Sequence, residues 1–155
     1  MKNLMVIIAL SFSVSGAYAQ KIKESEVPSA VKEGFNKHFP NSKAEKWEKE
    51  EANYEAEFDL NKVETSALMD VNGNLLETES EISVKDLPKG AVDYLAKNAA
   101  GQKIKEAAKI VDAKGTITYE AEAGEADYIF DSTGNFIKKE VEKDKKDDDK
   151  KEKKK

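Results

Sequence analysis

Residues 54–58 read Tyr-Glu-Ala-Glu-Phe, and residues 119–123 read Tyr-Glu-Ala-Glu-Ala. Each copy alternates an apolar with an acidic residue, the period of a β-strand with one buried and one wet face. Each is preceded by a helix-like segment opening on an apolar–proline pair, Val27-Pro28 or Leu87-Pro88, and followed by an Asp-x-x-Gly-Asn turn at Asp70 or Asp131. A repeat of about 60 residues is too long for an ordinary solenoid unit, and one copy alone would bury too little to fold. The fold expected is therefore α+β: two tandem helix-plus-antiparallel-meander repeats sharing one sheet and one core, with the helices on one face.

In the first copy, Val27, Val31, Phe35 and Phe39 recur at helical spacing, with Pro40 and Asn41 as the stop. The period then changes to two. Ala44 and Trp47 lead one strand, and Tyr54, Ala56, Phe58 and Leu60 line the inner side of the next. Asn61-Lys62 reads as a turn, and Ala67, Met69 and Val71 share a side of the third strand. Asn72-Gly73 predicts a hairpin in which both residues take positive φ. Leu76, Thr78, Ser80 and Ile82 then oppose Glu77, Glu79 and Glu81 on a fourth strand. In the second copy, Asp86 is a candidate helix cap. Ala91, Val92, Leu95 and Ala99 form the stripe, Gly101 the stop, and Tyr128, Phe130, Phe136, Ile137 and Val141 the later strands.

The ends are of a different kind. Lys2, the apolar run Leu4–Val14 and Ala17-Tyr18-Ala19 form a signal-peptide pattern, with Gln20 as the first mature residue and a periplasmic or secreted location. The organisation expected is signal 1–19, polar lead-in 20–26, repeat 27–82, linker 83–86, repeat 87–142 and charged tail 143–155. The tail has no apolar side chain and is expected to be disordered. Net charge is −5; Lys2 and the tail are net positive, leaving −9 for residues 20–142. Such an acidic body argues against nucleic acid and for cations or basic protein surfaces. The absence of cysteine means no disulfide contributes to stability.

The joint order Val-Pro-x-x-Val, Phe-x-x-x-Phe-Pro, Trp-Glu, Tyr-Glu-Ala-Glu-Phe and Asp-x-x-Gly-Asn, then Leu-Pro, Ile-Lys-Glu-Ala, Tyr-Glu-Ala-Glu and Phe-Asp-x-x-Gly-Asn, resembles the secreted PepSY-like, β-lactamase-inhibitor-like proteins of Bacteroidetes. The resemblance covers nearly all of 27–141. It implies an exported domain with a curved sheet, a binding or inhibitory role without catalysis, and in some members regulation by calcium. It carries no active-site residue. The second copy departs from the first, with Ala107 where the first has Trp47 and no Phe-Pro helix end.

Residue inventory agrees that catalysis is not expected. There is no cysteine, one histidine (His38, on the helix beside Phe35 and Phe39), and no phosphate-loop, dinucleotide or zinc spacing. Among ions, calcium is the one candidate, at Asp70, Asn72, Asn74, Asp131 and Asn135. These are oxygen-rich turns that depart from the EF-hand because glycine stands at the fourth position. The plainer reading is that Asp and Asn satisfy the backbone of the turn. The candidate partner-binding surface is the acidic side of the first copy: Glu48, Glu50, Glu55, Glu57, Glu77, Glu79 and Glu81. Residues 27–82 carry net −7 against −2 for 87–142, so like-charge repulsion is concentrated there. The competing expectation is a solvated face relieved by Lys43, Lys46 and Lys49.

Overall fold

The computed structural model describes residues 19–99 and 101–141. Residues 1–18 of the expected signal segment 1–19, and the charged tail 143–155, lie outside the described residues. Among the described residues, nine strands form one antiparallel sheet in simple chain order. They are β1 (Gln20–Ile22), β2 (Lys46–Glu50), β3 (Asn53–Leu60), β4 (Val63–Met69), β5 (Leu75–Glu81), β6 (Ile104–Asp112), β7 (Ile117–Ala123), β8 (Ala126–Asp131) and β9 (Phe136–Val141). Helix α1 (Ser29–His38) and helix α2 (Lys89–Asn98) pack on the same side of the sheet. The α+β fold with both helices on one face is as the alternation demands.

The 60-residue offset is visible in the helices, which start at Ser29 and Lys89. In each, proline immediately precedes the first helical residue with an extended ψ, so its missing N–H falls where no intrahelical bond is due. A short 3-10 turn comes before each proline, at Glu24–Glu26 and Val84–Asp86. Asp86 belongs to that turn, and α2 has no side-chain cap. The expected polar lead-in contains strand β1, which pairs Ile22 with Trp47 on β2. Its counterpart is the end of β5, where Ile82 donates its N–H to the Ala107 carbonyl.

The core divides in two instead of being shared. Under α1, Val27, Val31 and Phe35 bury against Trp47, Tyr54, Ala56, Phe58, Ala67 and Met69. Under α2, Leu87, Ala91, Leu95 and Ala99 bury against Ala107, Ala121, Ala123, Ala126, Tyr128 and Phe130. Between them the helix side carries Thr78 and Ser80 on β5 and Lys109 on β6. Thr65 and Ser80 join their hydroxyls there at 3.2 Å. A ten-residue helix is only about 15 Å long, so each covers its own strands and leaves this polar seam. Val92 is exposed on α2, and Ile82 packs under α2 instead of continuing the first cluster.

Bulges and turns correct two further expectations. A register shift between Leu68 and Met69 sets Leu75, not Leu76, opposite Met69 and against the α1 cluster. Strand β4 ends at Met69, leaving Val71 exposed in the turn. In that turn Gly73 has φ +80° while Asn72 stays at negative φ, and the Gly73 N–H bonds the Asp70 carbonyl at 3.0 Å. This is a type I turn closed by a left-handed glycine, not a two-residue hairpin. The two-residue form occurs at Asn61 and Lys62, both at positive φ.

Gly73 also lies against α1. A Cβ added to Gly34 would fall 2.2 Å from the Gly73 carbonyl oxygen, so helix and turn touch through bare backbone. Gly90 and Gly134 make the corresponding contact under α2. Alanine ordinarily favours a helix over glycine by about 1 kcal/mol. Gly34→Ala is expected to reverse that sign and destabilise by about 1–3 kcal/mol through overpacking, read as a lower urea midpoint with unchanged slope.

Candidate functional site

The side of the sheet away from the helices carries the acidic half of the alternation. Cross-strand register gathers every residue of the expected partner-binding surface there. Glu48 on β2 opposes Glu55 on β3, and Leu68 on β4 separates Glu55 from Glu77 on β5. In the next row, Glu57 and Glu79 flank Ser66. The second copy continues the surface: Glu79 opposes Ile110, Glu81 opposes Ala108, and beyond them lie Glu120, Ile129 and Lys138.

This surface is not the solvated one that alternation predicts. Glu55 is 0% exposed, Glu79 3%, Asp127 5% and Glu120 8%, although no helix lies over them among the described residues. Ser66, Leu68, Ile110 and Ile129 are buried with them. No helix among the described residues accounts for this burial; coiling of the sheet toward this side, with side chains of neighbouring strands covering one another, would produce it. Such coiling follows from strand twist, and the bulges at Leu68/Met69, Ile104/Glu106 and Ile129/Phe130 strengthen it. Glu48, Glu50, Glu57 and Glu77 are half-buried around the buried set, and Glu81 is exposed.

Among the described residues, the buried side-chain atoms lacking a hydrogen-bond partner are both carboxylate oxygens of Glu55, the Ser66 hydroxyl, and Oε2 of Glu79 and of Glu120. All five belong to this one surface. Ser66 lies near enough to favour the ionised form of Glu55, yet the two do not meet in hydrogen-bond geometry. Each buried polar atom left without a partner costs about 1–3 kcal/mol.

Electrostatics follow from burial. Loss of hydration, then repulsion from Glu50, Glu57 and Glu48, pushes the Glu55 carboxyl up to about 8. Burial and Asp112 raise Glu77 to about 7. Burial, then Asp127 and Glu140, raise Glu120 to about 8. Glu79 is held well above the carboxylate range by burial and by Glu120, Glu55, Glu77 and Asp127. Lysines act at the margins. Of the three expected to relieve the repulsion, Lys46 does so, at 3.1 Å from Glu48 and 2.6 Å from Glu57. Lys138 pairs with Glu140 at 2.7 Å.

The calcium candidates lie elsewhere, in exposed turns. The Asp70 carboxylate accepts the N–H groups of Asn72 and Asn74, both at 2.9 Å, and the Asn74 side-chain amide at 2.8 Å. Asp131 accepts the N–H and hydroxyl of Thr133 at 2.8 and 2.7 Å, and the N–H and side-chain amide of Asn135 at 2.9 and 2.8 Å. These bonds hold both carboxyls below the usual range. Asp112 makes a third turn of this build with Lys114 and Thr116. Among the described residues, no three acidic, histidine or cysteine side chains converge as a metal site. His38 is exposed at the end of α1, its ring 6.2 Å from that of Phe39. A cavity of about 110 Å³ between α1 and β2, lined in part by Lys32, Phe35, Lys43 and Trp47, lies on the helix side.

Ser66, Leu68, Glu120 and Asp127 belong to the site and escape sequence reading. One signal was available for Glu120, since it occupies the place of Glu55 in the second Tyr-Glu-Ala-Glu. The model of the family described as "Putative beta-lactamase-inhibitor-like, PepSY-like" matches the chain twice, at residues 14–77 and 62–138. The chain belongs to this PepSY-like family. A search of curated proteins finds no match. Among solved structures, this PepSY-like chain is similar to a DUF2874 family protein from Bacteroides uniformis, with TM-score 0.66 and 18% identity over 74% of this chain and 88% of the other. A protein described as periplasmic, from Bacteroides eggerthii, gives TM-score 0.66 and 14% identity over 74% and 88%. A BLIP-like protein from Bacteroides fragilis gives TM-score 0.62 and 21% identity over 76% and 90%. At these identities the likeness extends to the fold. No helix among the described residues is long and apolar enough to cross a membrane.

Raised carboxyl pKa values have a definite consequence for stability. Between the ordinary carboxylate range near 4.5 and about 8, the folded chain binds more protons than the unfolded chain, so stability falls as pH rises through that window. The lowered aspartates act oppositely, and their contribution is lost as pH falls below about 4. The melting temperature is expected to peak near pH 5 and to drop by at least about 5 °C at pH 8.5. Glu55→Gln should flatten the alkaline limb and raise the melting temperature at pH 8.5, as followed by circular dichroism.

Proposed function

We propose that this chain is an exported, non-catalytic binding protein that holds a protein partner on the helix-free side of its sheet. The observation that supports this most is the collection, on that one surface, of all the buried polar atoms without partners among the described residues. A surface that leaves hydrogen-bonding capacity unused at such cost is suited to a partner that supplies donors. The BLIP-like description of the Bacteroides fragilis relative agrees with a recognition role, and inhibition of the partner is the form we favour. The periplasmic description of the Bacteroides eggerthii relative agrees with export, after cleavage near Ala19-Gln20.

The alternative is a calcium-responsive protein acting through Asp70, Asn72, Asn74, Asp131 and Asn135. There an ion would have to displace the hydrogen bonds that hold the turns together. One experiment separates the two. The mature chain is immobilised and offered a periplasmic extract, with and without chelator. Alongside it run a Glu48→Lys/Glu77→Lys variant and an Asp70→Asn/Asp131→Asn variant. The sheet reading predicts a defined partner that survives chelator, is retained by the turn variant and falls at least about tenfold with the sheet variant. Capture that needs calcium and fails with the turn variant would instead establish the alternative.

A further inference from the structure

Three features stand out beyond the broad reading: the small cavity beside Trp47, the exposed apolar side chains of edge strand β9, and the unpartnered atoms of Glu55, Ser66 and Glu79. The cavity is bounded by surface lysines and holds no buried charged donor or acceptor. On β9, Phe136, Ile137 and Val141 are exposed with nothing to say what would cover them. The third feature is of another kind, because its atoms are enclosed, lack partners and have a definite chemistry.

Ser66 stands directly opposite Glu79 in the β4–β5 register and one step diagonal to Glu55 across β3–β4. Ser66 therefore stands between two carboxyls rooted two strands apart, directly opposite Glu79 and at the roughly 7–8 Å spacing of a diagonal neighbour from Glu55. Both oxygens of Glu55, one of Glu79 and the hydroxyl of Ser66 have no partner. The charges acting most strongly on Glu55 are Glu50, Glu57 and Glu48, and on Glu79 they are Glu120, Glu55, Glu77 and Asp127. All are carboxylates. What would complete the row is a group rich in donors, positively charged and broad enough to span two carboxyls rooted two strands apart. A metal ion fails the last condition, since no three acidic groups converge among the described residues. A guanidinium meets all of them, with five donors in a planar fork and weak hydration. The chain contains no arginine, so the group must come from outside. Leu68 beside Glu55 and Ile110 beside Glu79, both buried with the row, would line it with apolar side chains for the methylene stem of such a group once the row opens.

We propose that Glu55, Ser66 and Glu79 form a recognition site for an arginine side chain of the partner protein, which enters between β3 and β5 over Ser66. This rests on the sheet reading above and specifies its chemistry. The half-buried Glu48, Glu57 and Glu77 adjoin the row in the strand register, Glu48 and Glu57 held by Lys46, and in this proposal rotamer changes at these side chains open it without moving strands. Arginine binds the ionised carboxylates, so docking expels the protons that Glu55 and Glu79 hold in the free protein, and binding strengthens with pH. The groups governing that response are Glu48 and Glu50 on β2, Glu57 on β3, Glu77 on β5, Glu120 on β7 and Asp127 on β8, with Lys46 on β2 paired to Glu48 and Glu57.

The test uses n-butylguanidinium as the probe, titrated into the mature chain and followed by amide and side-chain carboxyl NMR shifts at constant ionic strength. Calcium chloride and sodium chloride serve as parallel titrants. The expected result is saturable shifts at Glu55, Ser66, Leu68 and Glu79, with affinity on the order of millimolar for so small a fragment. Affinity should be at least about tenfold stronger at pH 8.5 than at pH 5.5. Glu55→Gln and Glu79→Gln, both nearly isosteric, should abolish saturation, and their melting curves verify that they fold. Shifts spread over exposed acids such as Glu51 and Glu125, saturation unchanged in both variants, or equal response to calcium would overturn the proposal. A partner captured by the sheet yet indifferent to Glu55→Gln and Glu79→Gln would also sink the arginine site while leaving the sheet reading intact.

Discussion

A carboxyl group withdrawn from water without a donor to meet it is among the least favourable arrangements a fold can contain. This sheet holds such a group at Glu55, and one such oxygen each at Glu79 and Glu120, on the side that no helix among the described residues covers. The rest of the molecule has to supply the stability that makes them tolerable. It does so on the opposite side, where aromatic packing is dense. Phe35 meets Phe58 edge-on with ring centroids 5.0 Å apart, and meets Trp47 at 5.7 Å. Under α2, Tyr94 stacks on Phe136 at 4.4 Å. The two sides of one sheet thus have opposite roles, one stabilising and one strained.

The tandem repeat makes this division possible. Each helix closes its own apolar cluster, and the clusters stay separate because Thr78, Ser80 and Lys109 are polar where they would meet. Continuity is carried by β5, which closes the first meander and opens the second. The helix-free surface has no such seam. Glu55 and Glu120 stand at matching places in the two copies, and Glu79 on β5 lies between them. Duplication therefore gives two cores but a single acidic surface, with Glu79 acted on most strongly by Glu120 from the far copy.

Much of this fold was legible in the sequence, because period-two alternation, proline-led helices and Asp-x-x-Gly turns are local signals. Strand β1 was missed since Gln20-Lys21-Ile22 has a single apolar residue and no alternation to show. Comparison with Ser80–Ile82 across the repeat would have found it. The bulge that exchanges Leu75 for Leu76 is set by pairing with β4, which local pattern does not contain. For the site, alternation placed Glu48, Glu50, Glu55, Glu57, Glu77, Glu79 and Glu81 on one side correctly. It could not show that Glu55 and Glu79 are enclosed, because burial depends on neighbours from strands distant in the sequence. Alternation records which side a residue faces, and the depth of burial there is a property of the whole sheet.

The central claim is that the free protein holds these carboxyls buried and protonated near neutral pH. It is tested most directly by carbon-13 NMR titration of the Glu55 side-chain carboxyl, with Glu57 on the neighbouring strand position as an internal comparison. Burial without a partner predicts a Glu55 midpoint near 8, the protonated form persisting at pH 7. A Glu55 midpoint in the ordinary carboxylate range near 4.5 would show that water or a donor reaches it, and would contradict the account.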